Sequence, residues 1–231
     1  MTEKPPNIEF SSVLAACVHD MKNSLFMLLQ SIEQLAASEN MADEKKQELA
    51  KLHYEAYRVN TNLMQLLGLY RLEKKSLPLN VEENFIADIL DEMVAKNSLY
   101  LDNRGIEVTC EVDSDLVWYL DNDLISNLLS DIVNNALRYC DRQIALSAYI
   151  SPQNELVVQI EDDGDGYPEQ MLNFSLHGDM AEFEASSGRT GLGLYFAGLI
   201  AESHKNESKR GYIQLRNGGR FGGSVFTLTL P

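Results

Sequence analysis

The chain has 231 residues, 45% of them apolar and 23% charged, with a formal net charge of −16. That length holds one large domain or two small ones with a real core. The acidity argues against direct nucleic-acid binding, because phosphate backbones need basic partners. There is no apolar run of about 18 residues to cross a membrane, and Met1-Thr2-Glu3-Lys4-Pro5-Pro6 lacks the basic-then-apolar order of a secretory signal. Cys17, Cys110 and Cys140 are odd in number and far apart, which argues against a disulfide framework and leaves a reducing cytoplasm as the expected location.

In chain order, the first pattern is a heptad seam: Leu14, Val18, Met21, Leu25, Leu28, Ile32 and Leu35. A second runs Leu49, Leu52, Ala56, Val59, Leu63, Leu66 and Tyr70. Residues 37–43 between them are capping and turn types. Two amphipathic helices with a short connection make an antiparallel hairpin. One hairpin cannot bury both seams, so pairing with a second copy into a four-helix bundle is expected, which makes a homodimer.

Leu77-Pro78-Leu79 ends the second helix. Ile86, Ile89, Leu90, Met93 and Val94 then read as a helix, and Asn103-Arg104-Gly105 as a turn before an alternating strand over 106–112. A helix is predicted over 124–139 and strands over 144–150 and 156–160. Residues 168–190 are irregular and polar, the character of a functional loop. A small-residue helix over 193–203 follows, then strands over 211–215 and 224–230. This mixture predicts an α+β domain with helices packed on one face of a sheet.

Three segments carry chemistry. On the 124–139 helix, Asn135 follows Asp131 by four residues, so both project from one face, and Arg138 lies one turn on, within reach of phosphate. Asp162-Asp163-Gly164-Asp165-Gly166 puts a carboxylate at the end of an apolar strand, with Gly164 and Gly166 letting the chain turn close to a ligand. Gly188-Arg189-Thr190-Gly191-Leu192-Gly193-Leu194 opens a helix, where backbone N–H groups suit phosphate. Each has a plainer reading: a solvated polar stripe, an acidic turn, a tight helix entry. Their order points to an ATP pocket. ATP is itself an anion, so in so acidic a chain its site must draw on Mg²⁺, local Arg or Lys, and backbone N–H groups.

The three segments resemble the N box and the two glycine boxes of the histidine-kinase branch of the GHKL ATPases, which also include gyrase B and the heat-shock chaperone ATPases. The pattern Asn-Ala-x-Lys/Arg-Tyr is met by Asn135-Ala136-Leu137-Arg138-Tyr139, and Asp-x-Gly-x-Gly by residues 162–166. Gly-x-Gly-Leu-Gly-Leu is met by residues 189–194 with Arg189 at its first glycine. The resemblance covers about residues 8–231. It implies a GHKL (Bergerat) α/β sandwich in which Asn135 holds Mg²⁺, Asp162 reads adenine, Tyr139 packs near the base and 168–190 is the ATP lid. Asp131 stands where most of these kinases have the first Asn of the box. An acid there can still serve the metal; in the chaperone ATPases an acid acts as base on water.

His19-Asp20-Met21-Lys22-Asn23 resembles the phosphoacceptor box of these kinases. His19 follows seam residue Val18, which places it off the packed stripe. A neutral imidazole is a competent nucleophile toward a γ-phosphate. Asp20 can take its proton or fix its tautomer. Asn23 lies one turn on, where an amide can orient water, and an acid followed three residues later by Thr or Asn implies phosphatase activity as well. Ser24 replaces the usual proline, so no proline kink is expected. His53, His177 and His204 have no partners that the sequence identifies; His53 follows seam residue Leu52 and is expected to be exposed.

The reading is a dimerising phosphoacceptor hairpin over 8–77 and an ATP-binding domain over 78–231. The expected activity is Mg-ATP-dependent autophosphorylation of His19 and transfer to an Asp of a response-regulator receiver domain. ATP would be bound by Asp131, Asn135, Arg138, Tyr139, Asp162, Gly164, Gly166, Arg189, Thr190, Gly191, Leu192 and Gly193. Two alternatives remain open: a phosphotransfer scaffold with a silent ATP domain, and an ATPase using Asp131 as base. No sensor segment precedes residue 8, so the input is expected from a separate sensor protein or from a longer chain.

Overall fold

The structure is a computed structural model that describes residues 79–173 and 192–231 and, nearer the N-terminus, 20, 21, 23–25, 27–32, 34, 35, 45, 48, 49, 51, 52, 55, 56 and 59. The chain divides into two compact units, Met1–Leu77 and Pro78–Pro231.

In the first unit every described residue between 20 and 35 and between 45 and 59 is helical. The two seams split by exposure within the single chain. Leu25 and Leu49 are half-buried, and Ile32 and Ala56, each seven residues on, are buried. Met21, Leu28 and Leu35, and on the other stretch Leu52 and Val59, are about half exposed, at 49–55%. A seven-residue step repeats a helix face, so each helix carries one covered and one open apolar row. Residues 37–43 and the seam positions Leu14, Val18, Leu63, Leu66 and Tyr70 lie outside the described residues.

The second unit opens with β1 (Glu82–Phe85), α1 (Ile86–Lys96) and α2 (Ser98–Arg104), then β2 (Glu107–Val112) and β3 (Val117–Leu120). Next come α3 (Asn122–Tyr139), β4 (Gln143–Ile150), β5 (Leu156–Asp162) and the single turn α4 (Glu169–Leu172). After the segment outside the described residues come α5 (Leu192–Ser203), β6 (Lys205–Asn206), β7 (Lys209–Arg210), β8 (Tyr212–Asn217) and β9 (Ser224–Leu230). The main sheet has the order β2-β4-β5-β9-β8, with only the β2–β4 pair parallel. β1 and β3 form a separate antiparallel ribbon, as do β6 and β7.

The core follows from periodicity. α1 buries Ile86, Ile89, Leu90 and Met93, and α3 buries Ile125, Leu128, Leu129, Ile132, Val133, Ala136 and Leu137, each set at helical spacing. They meet Ile144, Leu146 and Ala148 of β4, Leu156, Val158 and Ile160 of β5, and Phe226, Leu228 and Leu230 of β9, which alternate along their strands. The opposite sheet face is tied by charge. Arg220, in the β8–β9 loop, donates paired bonds of 2.7 and 2.8 Å to Glu111 on β2 and one of 3.1 Å to the buried Glu161 on β5. That fork lowers the ionisation of Glu111 below the usual carboxylate range. Among the described residues, no helix is long and apolar enough to cross a membrane.

Candidate nucleotide-binding site

Three stretches of chain meet where β5 ends. Asp162, its last residue, is 3% exposed. Burying a carboxylate is costly unless donors surround it. Here Oδ1 accepts from the N–H of Gly164 at 2.9 Å and of Ser224 at 3.1 Å, and Oδ2 accepts from the Ser224 hydroxyl. Glycines permit this closeness. A Cβ at Gly164 would stand 2.2 Å from the Tyr139 carbonyl oxygen, and one at Gly223 would stand 2.6 Å from Asp162 Oδ1. The last carbonyls of α3 and the first residues of β9 therefore press on the same turn.

Asp163, the neighbouring carboxylate, does different work. It accepts from the N–H groups of Asp141 at 2.9 Å and Arg142 at 3.0 Å, binding the end of α3 to the turn. Gly166 follows with φ +82°, a conformation that L side chains rarely adopt, and lies against the Asn217 side chain. That amide accepts from Tyr167 N at 2.7 Å and donates to Tyr167 O at 2.8 Å, as a neighbouring strand would. The turn is thus held on both sides.

α3 presents the first segment. Asp131 is half-buried and Asn135 exposed, four residues apart on one face. Arg138 and Tyr139 are exposed, with the guanidinium carbon 5.5 Å from the ring centroid. Both helix ends are fastened. Asp121 caps the start, its Oδ1 accepting from Leu124 N at 3.0 Å and its Oδ2 from Asn80 N at 2.8 Å. At the other end Arg104 donates to the Leu137 carbonyl at 2.9 Å, a cation on the negative pole of the helix.

His204 completes the frame, and its lack of an identified partner is corrected. Nε2 accepts from the buried N–H of Asp121 at 3.1 Å, and Nδ1 lies 2.8 Å from the Ile200 carbonyl. The first contact requires an unprotonated Nε2, so the proton sits on Nδ1. Burial lowers the ionisation of this imidazole. The side chain joins the end of α5 to the cap of α3. α5 packs on α3 through a face that includes buried Leu194, Ala197 and Ala201. Leu192 begins this helix and Gly193 is half-buried in its first turn.

Arg189, Thr190, Gly191 and most of the expected lid lie outside the described residues; the irregular reading from 168 is corrected at α4, a helical turn. His19, His53 and His177 lie outside them too. Asp20 and Asn23 are exposed on a helix. Ser24 Oγ donates to the Asp20 carbonyl at 3.0 Å, a back-bond that bends a helix slightly without a proline. Ser224, Asp163, Asn217 and Asp121 were not singled out from sequence. Among the described residues, no cluster of three or more His, Cys, Asp or Glu is placed to hold a metal. The arrangement offers a buried acceptor beside a helix whose exposed face carries an amide, a carboxylate and a guanidinium.

The family model for histidine kinase-, DNA gyrase B-, and HSP90-like ATPases matches residues 120–231. Sensor protein SrrB of Staphylococcus aureus strain N315 is 29% identical over 168 residues, which cover 70% of this chain and 28% of SrrB. The chain thus spans little more than a quarter of that relative. Among solved structures, the Acinetobacter baumannii histidine kinase AdeS aligns with a TM-score of 0.59 at 24% identity, over 90% of this chain and 95% of its own. Full-length ShkA in complex with AMPPNP aligns with a TM-score of 0.63 at 18% identity, over 95% of this chain and 45% of its own. The catalytic domain of histidine kinase ThkA aligns with a TM-score of 0.54 at 20% identity, over 66% of this chain and 97% of its own. Residues 120–231, most of the second unit, thus match the histidine kinase-, DNA gyrase B-, and HSP90-like ATPase model, and the chain is similar in fold to these solved histidine kinases.

Proposed function

We propose that the chain is the core of a sensor histidine kinase that transfers the γ-phosphoryl group of ATP to His19, and from there to an Asp of a response-regulator receiver domain. The observation that carries the reading is the buried Asp162 carboxylate, ringed by Gly164 and Ser224 and abutted by the end of α3. Such a group accepts a hydrogen bond from the amino group of adenine. Arg138 and the backbone N–H groups of Gly191 and Gly193 would neutralise phosphate charge.

An imidazole nitrogen of His19 attacks the γ-phosphorus, the bond to the bridging oxygen breaks, and ADP leaves. Asp20 takes the proton that the imidazole loses. Asn23 orients the water that hydrolyses the phosphorylated receiver. Asn135 and Asp131 suit Mg²⁺, since both offer hard oxygen donors from one helix face. These two side chains would hold the ion, and it would supply neutralisation of phosphate charge.

The first unit serves as the phosphoacceptor hairpin, over about residues 8–77, and the ATP-binding domain follows. Open apolar rows through Met21 and Leu28, and through Leu52 and Val59, support a homodimer with a four-helix bundle. Asp131, half-buried on the exposed side of α3, favours one second reading: an ATPase in which it serves as base on water. Incubation with γ-labelled ATP and Mg²⁺ tests the choice. The expected product is protein label that is acid-labile and base-stable, as a phosphoramidate is. Free phosphate with no labelled protein favours the ATPase, and bound nucleotide with neither product favours a silent scaffold.

A further inference from the structure

The β8–β9 loop, residues 218–223, sets Arg220 and Phe221 between two pairs of glycines. Gly218, Gly219 and Gly222 hold φ of +101°, +79° and +89°, where L side chains rarely go. Such a run has wide conformational freedom, and its own closure is the bond from Gly218 N to Gly223 O at 2.9 Å. Yet both flanks of the loop bear on the pocket. Asn217 clamps the Tyr167 backbone, and Ser224 donates to Asp162 through its N–H and its hydroxyl. Gly223 lies so close to Asp162 and Gly164 that a Cβ would strike both. A loop this free needs an anchor to hold those donors in place.

Arg220 anchors it from the other side of β5. Consecutive strand residues point to opposite faces, so the buried carboxylates of Glu161 and Asp162 leave the strand in opposite directions. Arg220 Nε donates to Glu161 Oε2 at 3.1 Å, and its backbone N–H donates to Oε1 at 3.4 Å. Its two terminal nitrogens donate to Glu111, on β2, at 2.7 and 2.8 Å. β4 lies between β2 and β5 and places Ala145 opposite Glu161, a residue small enough to leave the crossing open. The loop thus holds the end of β5 from both faces: Arg220 on Glu161, Gly223 and Ser224 on Asp162.

We infer that Arg220 is a positioning residue for the nucleotide pocket: by gripping Glu161 and Glu111 on one face of the sheet, it fixes the glycine loop whose far end donates to Asp162 on the other. The inference rests on the ATP-site reading above and deepens it. Arg220 itself is not required to touch the nucleotide.

The test combines calorimetric titration with ATP and amide hydrogen exchange of the nucleotide-free full chain. The variants are Arg220→Gln, Arg220→Lys, Glu111→Gln, Asp162→Asn, and Arg220→Gln combined with Asp162→Asn. Arg220→Gln should weaken ATP about 3- to 10-fold, the worth of one hydrogen bond. It should also speed exchange of the Ser224 amide about 10-fold, while the Phe226 and Leu228 amides within β9 exchange as before. General loosening of the fold would move all three. A lysine keeps the charge but has no fork to span both glutamates, so Arg220→Lys should fall between Arg220→Gln and the unmodified protein. Glu111→Gln, at an exposed position, should act in the same direction by about 2- to 3-fold. In the Asp162→Asn background Arg220→Gln should have no further effect on ATP affinity, because its influence passes through Asp162. Unchanged ATP affinity in Arg220→Gln overturns the inference, as does a full effect in the Asp162→Asn background. If Arg220→Gln does not fold, silence in both Arg220→Lys and Glu111→Gln overturns it. Asp162→Asn separates the two levels. If it weakens ATP by about 10-fold or more while Arg220→Gln does nothing, this inference alone fails. If Asp162→Asn leaves ATP affinity untouched, the pocket reading fails with it.

Discussion

Gly164 shows how little room the site leaves. Any side chain there collides with the Tyr139 carbonyl, the last turn of the helix that carries Asn135. Gly164→Ala must push the turn and α3 apart, and overpacking of this kind costs about 1–3 kcal/mol. A lower urea midpoint together with weaker ATP binding is expected, whereas Gly105→Ala, with no atom within 4 Å of its Cβ, should leave ATP binding intact. At this scale the sequence told part of the story. Asp162 was legible because it ends an apolar strand. Asp163, identical in chemistry, carries a different task only because Asp141 and Arg142 fold back onto it. Ser224 lies 62 residues from Asp162, and no local pattern pairs them.

Among the elements, α3 is the one on which the site depends, and its fastening sets a pH dependence. The neutral His204 ring accepts from Asp121 N, the residue that caps α3. Its folded ionisation is depressed, so the unfolded chain takes up a proton first as the pH falls. The stability it contributes is present above about pH 6.5, the ordinary histidine value, and is lost as the pH drops from there toward the lower folded value. His204→Leu leaves the buried Asp121 N–H without its acceptor, at a cost of about 1–3 kcal/mol. Urea unfolding at pH 7.5 and 5.5 should show a lower midpoint for the variant at the higher pH, and a smaller drop between the two than in the unmodified protein. The long periodic elements, α1, α3, α5 and strands β4, β5 and β9, were legible within a few residues because one face of each is apolar. The β1–β3 and β6–β7 ribbons were not. Glu82-Glu83-Asn84-Phe85 has no alternation to betray a strand, and β6 and β7 have two residues each, set by pairing with each other. α2 escaped notice because its seven residues lack two full turns of apolar repeat.

For the whole molecule, the two units make separate demands on experiment. The open row in the first unit gives opposite expectations for one substitution. If the row is covered by a second copy, Leu28→Asp places a charge in an apolar interface and should turn a dimer into a monomer by light scattering at micromolar concentration. If the chain is monomeric, Leu28 is about half exposed and the same change should be silent. On the proposed reading the second unit binds the nucleotide and His19 belongs to the first, so the two functions should separate cleanly by mutation. The most direct test is transfer from γ-labelled ATP to His19→Gln, with ATP affinity measured on the same preparation. The account predicts full ATP affinity and no acid-labile, base-stable label; label at the unmodified level in His19→Gln would contradict it.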